Sequence, residues 1–342
     1  MRPNFFYHLH PPTIPAAQAR WRYTLGAGGT AIFLSVILGA TGILELFYYI
    51  PTPENAAISI QTITYLVPFG NLIRNLHFWS AQLLVIVSAV HLVRVVFTGS
   101  YVPPRRFNYL LGLALFVFAI LLNFTGYILR WDTGIQWALV VGTNLIRTIP
   151  FLGETIYIAL TGGTEPGPAT LLRFYSWHLF GLTIVSVILM GWHAFRVRRD
   201  GGLALPPPNL RASNERIPRF ELVRREVLAM LLTGAALLLL SIFAPAPIAA
   251  AITEVTAAIE NARAPWFFIW VQQMLKWGDP FLFGILVPLA VLIVLILIPY
   301  IFPQPAPSEI GHWFPKSNRL AQVTLGVIAL AIFLLTLLAN VR

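Results

Sequence analysis

Between Asn75 and Val93, and again between Phe174 and Phe195, the chain carries no Asp, Glu, Lys or Arg, and each of these apolar stretches holds two histidines: His77 and His91, then His178 and His193. Each stretch is long enough to cross a hydrocarbon core as a helix. An ionisable side chain inside such a segment marks function, and imidazole is a common metal ligand. The 14 residues from His77 to His91 place the two rings roughly 40° apart around a helix and about 21 Å apart along it; the 15 from His178 to His193 give roughly 60° and about 22 Å. Two such helices running in the same direction present two facing pairs at two depths. Haem iron with two axial imidazoles suits each pair better than zinc, because no Cys, Asp or Glu lies nearby to complete a tetrahedron.

The rest of the chain supports a membrane setting. Of 342 residues, 57% are hydrophobic and 11% charged, with mean hydropathy +0.75. That leaves too little charge to cover a water-soluble surface. The net charge of +10 does not point to nucleic acid, because the basic residues cluster in particular loops. Without cysteine the chain holds no disulfide, no thioether-linked haem and no cysteine-ligated cluster of its own. The N-terminal residues lack the short apolar core of a removable signal peptide.

Apolar runs predict an all-α fold with seven transmembrane helices, at about 23–44, 72–96, 107–129, 171–195, 227–248, 280–302 and 320–340. The domains read as an N-terminal arm (1–22), a four-helix bundle holding two b-type haems (23–200), a linker (201–226) and a three-helix C-terminal domain (227–342). Arg and Lys concentrate before the first span and in the loops after the second and fourth, so the positive-inside rule places the N-terminus in the cytoplasm and the C-terminus outside. Both histidine spans then run inward, with His77 and His178 near the outer face. Two short apolar runs, Trp131 to Leu145 and Phe151 to Leu160, read as helices lying in the membrane surface.

Gly28 and Gly42 in the first span, and Gly112 and Gly126 in the third, repeat the 14-residue interval. Glycine lets a flat macrocycle approach a backbone, which makes these spans the other walls of two haem pockets; small-residue helix packing is the alternative. Arg74 and Arg94, three residues outside His77 and His91, are placed to pair haem propionates or to anchor the helix at the interface.

In Leu72-Ile73-Arg74-Asn75-Leu76-His77, His91-Leu92-Val93-Arg94, Gly126-Tyr127 followed by Trp131-Asp132, and Arg173-Phe174-Tyr175-Ser176-Trp177-His178, the chain resembles cytochrome b, the membrane subunit of Rieske/cytochrome b quinol oxidoreductases. The resemblance covers nearly the whole sequence, as a fused four-plus-three-helix form. It implies an outer haem on His77 and His178, an inner one on His91 and His193, and quinol oxidation near the outer face. It also implies a Rieske iron–sulfur protein and a c-type cytochrome as electron partners, a quinone site on the cytoplasmic side, a homodimer, and a bacterial or archaeal cytoplasmic membrane.

Three departures stand out. The Pro-Glu-Trp-Tyr motif of the family appears as Ala264-Pro265-Trp266-Phe267, so Pro265, Trp266 and Phe267 would form the quinol site without its glutamate. A carboxylate there acts as a base; Asp132, Glu154, Glu254 and Glu260 are the outer-side substitutes, Asp132 first. Thr24 or Gly26 stands where the chloroplast-type branch anchors an extra haem through cysteine, and Arg130-Trp131 replaces a Pro-Trp corner. For the inner quinone, Glu226 is the proton donor and Arg225 the oxygen ligand, or else the two are a helix-start acid and an interface anchor. The other functions open to such a chain are a dihaem quinone-reactive anchor without bifurcation and a haem-free transporter with a histidine proton relay.

Overall fold

The computed structural model describes residues 9–252 and 263–340. Glu254 and Glu260, two of the expected outer acids, lie outside the described residues. Among the described residues seven helices are long and apolar enough to cross a membrane. In chain order the helices of seven residues or more are α1 (Ala27–Leu46), α2 (Ala56–Tyr65), α3 (Gly70–Phe97), α4 (Arg106–Ile128), α5 (Gln136–Arg147), α6 (Gly153–Thr161), α7 (Pro168–Arg199), α8 (Arg219–Phe243), α9 (Ile269–Leu275), α10 (Leu282–Ile301) and α11 (Arg319–Leu338). The spans are α1, α3, α4, α7, α8, α10 and α11.

Local chemistry sets the ends. Leu25 and Gly26 both adopt left-handed backbone, and the Gly26 N–H donates to the Thr24 hydroxyl at 3.1 Å, which turns the chain into α1. The fifth span stops at Phe243, not near Ile248, because Pro245 and Pro247 cannot continue a helix. It also begins earlier than the linker 201–226 allowed: Arg219 to Glu226 are already helical, and the connection ends at Pro218. Nor is the N-terminal arm a free tail, since β1 (Thr13–Pro15) pairs antiparallel with β2 (Arg216–Pro218) just before α8. Tight polar pairing of backbone at this point was invisible to a search for apolar runs.

Helices α1, α3, α4 and α7 form the histidine-bearing bundle, with α1 packed along α3 and α7 along α4. The C-terminal half docks through α8 on α1 and α3, α10 on α4, and α11 on α3. Two buried clusters close the bundle at its ends. One gathers Ile128, Trp131, Ile135, Leu139, Leu171 and Phe174 around the α5 turn; the other gathers Val96, Tyr101, Tyr109, Leu113, Ile298 and Leu325. Between them many apolar side chains point outward, such as Val187, Leu231 and Val327, as a lipid-facing surface requires. The surface runs expected at 131–145 and 151–160 are α5 and α6, packed on each other.

Helix α7 is not uniform. Trp177 to Leu182 form a π-helical turn that contains His178, with the Thr183 hydroxyl donating back to the His178 carbonyl. A π turn takes up one residue more than an α turn. The 15-residue spacing of the second histidine pair is therefore read out much as the 14-residue spacing of the first.

Candidate haem-binding site

The histidines meet as two facing pairs. The ring centroids of His77 (α3) and His178 (α7) lie 6.5 Å apart, and those of His91 and His193 lie 6.4 Å apart. Two metal–nitrogen bonds of about 2 Å, with about 1 Å from each nitrogen to its ring centre, span roughly 6 Å. Each pair thus has room for one metal ion held from both sides. Among the described residues no group of three or more His, Asp or Glu is placed to bind a metal, so a metal held by one pair would take its other ligands from outside the protein. A planar macrocycle that supplies four nitrogens fits that requirement; an ion held by protein alone does not.

Nδ1 of three rings is committed elsewhere. Thr41 Oγ1 lies 2.9 Å from His77 Nδ1 while giving its own proton to the Ile37 carbonyl at 2.7 Å. Thr125 Oγ1 lies 3.0 Å from His178 Nδ1 and donates to Leu121 O at 2.9 Å. A hydroxyl already donating to a carbonyl accepts from the ring, so Nδ1 carries the hydrogen and Nε2 keeps its lone pair. His193 Nδ1 donates to the Asn108 carbonyl at 3.1 Å, while His91 Nδ1 is buried without a partner. Such outer bonds fix the tautomer and orient the ring toward a metal.

The four glycines divide one to each imidazole. A Cβ built at Gly28 would lie 3.4 Å from Cε1 of His91, at Gly42 3.2 Å from that of His77, at Gly112 3.1 Å from that of His193, and at Gly126 2.8 Å from that of His178. Their immediate task is to make room for the rings, so each glycine helix backs a histidine helix: α1 behind α3, and α4 behind α7.

The arginines differ. Arg94 donates from Nε to the Tyr23 carbonyl at 2.9 Å and stacks 4.1 Å over the Tyr23 ring, leaving Nη2 buried and unpartnered. A buried guanidinium nitrogen without an acceptor suits an anionic arm of a bound group. Arg74, by contrast, donates to the carbonyls of Ala246 (3.2 Å) and Pro247 (2.5 Å) beyond α8, although its side chain still lines the outer cavity. That cavity, of about 150 Å³, lies between His77 and His178 and is bounded also by Gly42, Glu45, Gln82 and Gly126.

Of the expected quinol-site residues, Trp266 donates from Nε1 to Gln82 Oε1 at 2.7 Å, which ties the 264–268 corner to the wall of this cavity. Pro265 opens the 3-10 turn Trp266–Phe268, and Phe267 is buried beneath it. Asp132 does not line the cavity. Its Oδ2 is held by Arg130 at 2.5 Å and by the Ala249 N–H at 3.2 Å, and at 2% exposure it pins the corner after α4 to the segment after α8. It is Arg130 that reaches the cavity wall. Glu154 pairs with Arg147 on the surface. At the inner end Arg225 donates to the Ala19 carbonyl at 2.6 Å, and Gly29 sits against Glu226.

Thr41, Thr125 and Glu45 were not singled out from the sequence. The repeated Thr-Gly dipeptide, Thr41-Gly42 and Thr125-Gly126, was the available signal for the first two.

Comparisons with known proteins agree with this geometry. Residues 14–201 match the family described as Cytochrome b/b6/petB. Cytochrome b6 of Heliomicrobium gestii is 38% identical over 174 residues, which cover 51% of this chain and 82% of that one. The menaquinol:cytochrome c reductase cytochrome b subunit of Geobacillus thermodenitrificans is 35% identical over 175 residues, covering 51% and 78%. A solved structure described as a hyperthermophilic respiratory Complex III superposes with a TM-score of 0.84 at 19% identity, over 98% of this chain and 88% of that chain, and so shares the fold of both halves. The facing histidines, the glycine behind each and the relatives that match the four-helix half all lead to one assignment: the chain belongs to the cytochrome b/b6 family.

Proposed function

We propose that the protein is the dihaem cytochrome b of a bc-type quinol:cytochrome c oxidoreductase, with one b-type haem between His77 and His178 and a second between His91 and His193. The observation that carries this reading is the pair of 6.5 and 6.4 Å ring separations at two depths of one bundle. Haem iron supplies one-electron transfer when bound. The chain does the rest: Thr41, Thr125 and the Asn108 carbonyl hold the imidazoles of His77, His178 and His193 in the ligating tautomer, the four glycines admit all four rings, and Arg94 Nη2 meets an anionic arm of the inner group.

Quinol is oxidised at the corner formed by Pro265, Trp266 and Phe267, one electron leaving to a Rieske iron–sulfur protein and on to a c-type cytochrome, the other crossing the bundle to a quinone at the cytoplasmic end near Glu226. A second copy of the chain completes a homodimer. The basic residues support the orientation: Arg94, Arg105, Arg196, Arg198, Arg199, Arg219 and Arg225 gather at one end of the spans, with the paired β1 and β2, so that end and the N-terminus face the cytoplasm of a bacterial or archaeal cell.

A redox titration of the purified complex, with haem counted per chain, tests the reading. Two low-spin haems at separate potentials are expected, with the inner one lost in His91→Ala. One haem or none overturns it. A purified complex with two haems and no iron–sulfur partner would instead indicate a quinone-reactive anchor without bifurcation.

A further inference from the structure

The outer cavity contains one carboxylate that none of the roles above uses. Glu45, on the last turn of α1, lines the same chamber as His77 and His178, and its Oε1 is buried without a hydrogen-bond partner. Glu45 forms no ion pair among the described residues, so a charged carboxylate in that position would be offset only at a distance, by the Arg74 guanidinium.

The groups that face it are already engaged. Arg74, on α3, gives two guanidinium nitrogens to the carbonyls of Ala246 and Pro247. Arg130, at the end of α4, is bound to Asp132. The Tyr49 hydroxyl donates to Leu129 O at 2.7 Å, that of Tyr127 donates to Gly134 O at 2.7 Å, and Tyr175 of α7 stacks on Tyr49 at 5.7 Å. Burial pushes the Tyr49 hydroxyl well above its ordinary range, so it remains a donor. Each of the two histidines has Nδ1 on a threonine, which leaves Nε2 with the lone pair for a metal. Glu45 is therefore the carboxylate of the chamber, able to gain and lose a proton without breaking an existing bond. The chamber also reaches the quinol corner, through Gln82 and its bond from Trp266.

We propose that Glu45 is the proton acceptor of the outer chamber, taking up a quinol proton as an electron enters the outer haem and releasing it when that electron moves on. The inference rests on the function proposed above. Quinol gives up two electrons and two protons. The first electron goes to the iron–sulfur acceptor, and a proton leaves with it. As the second O–H bond breaks, its proton binds a Glu45 oxygen, and a haem held between His77 and His178 would take its electron as a one-electron acceptor. Once that electron has moved on across the bundle, the Glu45 carboxyl ionises and the proton passes outward. Electron and proton stay within one low-dielectric chamber, so the added negative charge is offset where it arises.

The test is potentiometry of both haems in the intact complex as a function of pH, for wild type, Glu45→Gln and Glu45→Asp. One proton bound per electron changes the reduction equilibrium tenfold per pH unit, about 59 mV. The outer haem is expected to approach that slope over part of the range in wild type and in Glu45→Asp, and to become flat in Glu45→Gln, with the inner haem unaltered. In quinol oxidation assays Glu45→Gln should lose the acidic limb of the pH–rate profile, with kcat lower by about 100-fold and KM little changed. A merely structural role would shift the outer potential by the same amount at every pH. Should Glu45→Gln fail to assemble, reduced-minus-oxidised infrared spectra of wild type grown with isotope-labelled glutamate must show a protonated glutamic acid band on reduction. An unchanged slope in Glu45→Gln, or no such band, overturns the proposal while two titrating haems leave the function above intact; a missing outer haem in wild type refutes that function instead.

Discussion

At the scale of single residues, the site is graded in a way that substitutions can read. A Cβ at Gly126 would fall 2.8 Å from the His178 ring, closer than non-bonded atoms approach, whereas at Gly28 it would sit 3.4 Å from His91, an ordinary contact. Gly126→Ala should lose most of the outer haem and Gly28→Ala retain the inner one, as measured by haem per chain and visible spectra. Thr41 bears on electronics more than on space. Its hydroxyl takes the hydrogen of His77 Nδ1, which makes the imidazole a stronger donor and favours ferric iron. Thr41→Ala should therefore raise the outer midpoint potential, with the inner one unmoved, and leave a buried N–H unpaired at a cost of about 1–3 kcal/mol. Asp132 belongs to a different class. Its removal leaves Arg130, only 12% exposed, without its counter-charge, which predicts a loss of about 3–5 kcal/mol in thermal denaturation with both haems still present at low temperature.

At the scale of elements, the π turn in α7 explains why two unequal spacings give matched pairs. Deleting Gly181 should heal that turn into α-helix and preserve both histidine pairs. Deleting Val85 from the unbroken α3 should rotate His91 by about 100° relative to His77 and abolish one haem. Haem counts on the two deletions decide the point. The histidine helices and the glycine helices were legible because each writes its role as a fixed interval in one segment. The π turn was not, because nothing in Trp177 to Leu182 departs from an apolar helical run. The partners of Arg74 escaped for another reason: they are backbone carbonyls of Ala246 and Pro247, more than 170 residues away, and a carbonyl has no signature in sequence. Asp132 reads in the sequence as an outer-side acid with a chemical task; its burial shows only in the structure, and Arg130, two residues before it, is the sequence clue to the ion pair that holds it. Outside the spans, the Glu309 carboxylate receives the Ser317 hydroxyl and the backbone N–H groups of Ser317 and Lys316, and these bonds hold it below the usual carboxylate range. The order that it lends to the α10–α11 loop is present above the ordinary glutamate range and lost as pH falls through the lowered value, which hydrogen exchange across 309–317 would follow.

For the whole molecule, the seven spans and their order could be read from hydropathy, and the division into four helices and three from the charged connection between them. How the halves join could not. Thr13, Ile14 and Pro15 pair with Pro218, Ile217 and Arg216, and α8, α10 and α11 then seat on the four-helix bundle. These attachments are lateral, and loop contacts such as Asp132 with the Ala249 N–H and Trp266 with Gln82 add to them. The stretch from about 203 to 212 thus acts as a tether whose two ends are already held in place by their neighbours. Expressed as separate polypeptides broken between Pro208 and Asn209, the two parts should find each other in the membrane and bind haem as the continuous chain does, so the peptide bonds that cross this connection set how many halves are made, one for one, more than how they fit.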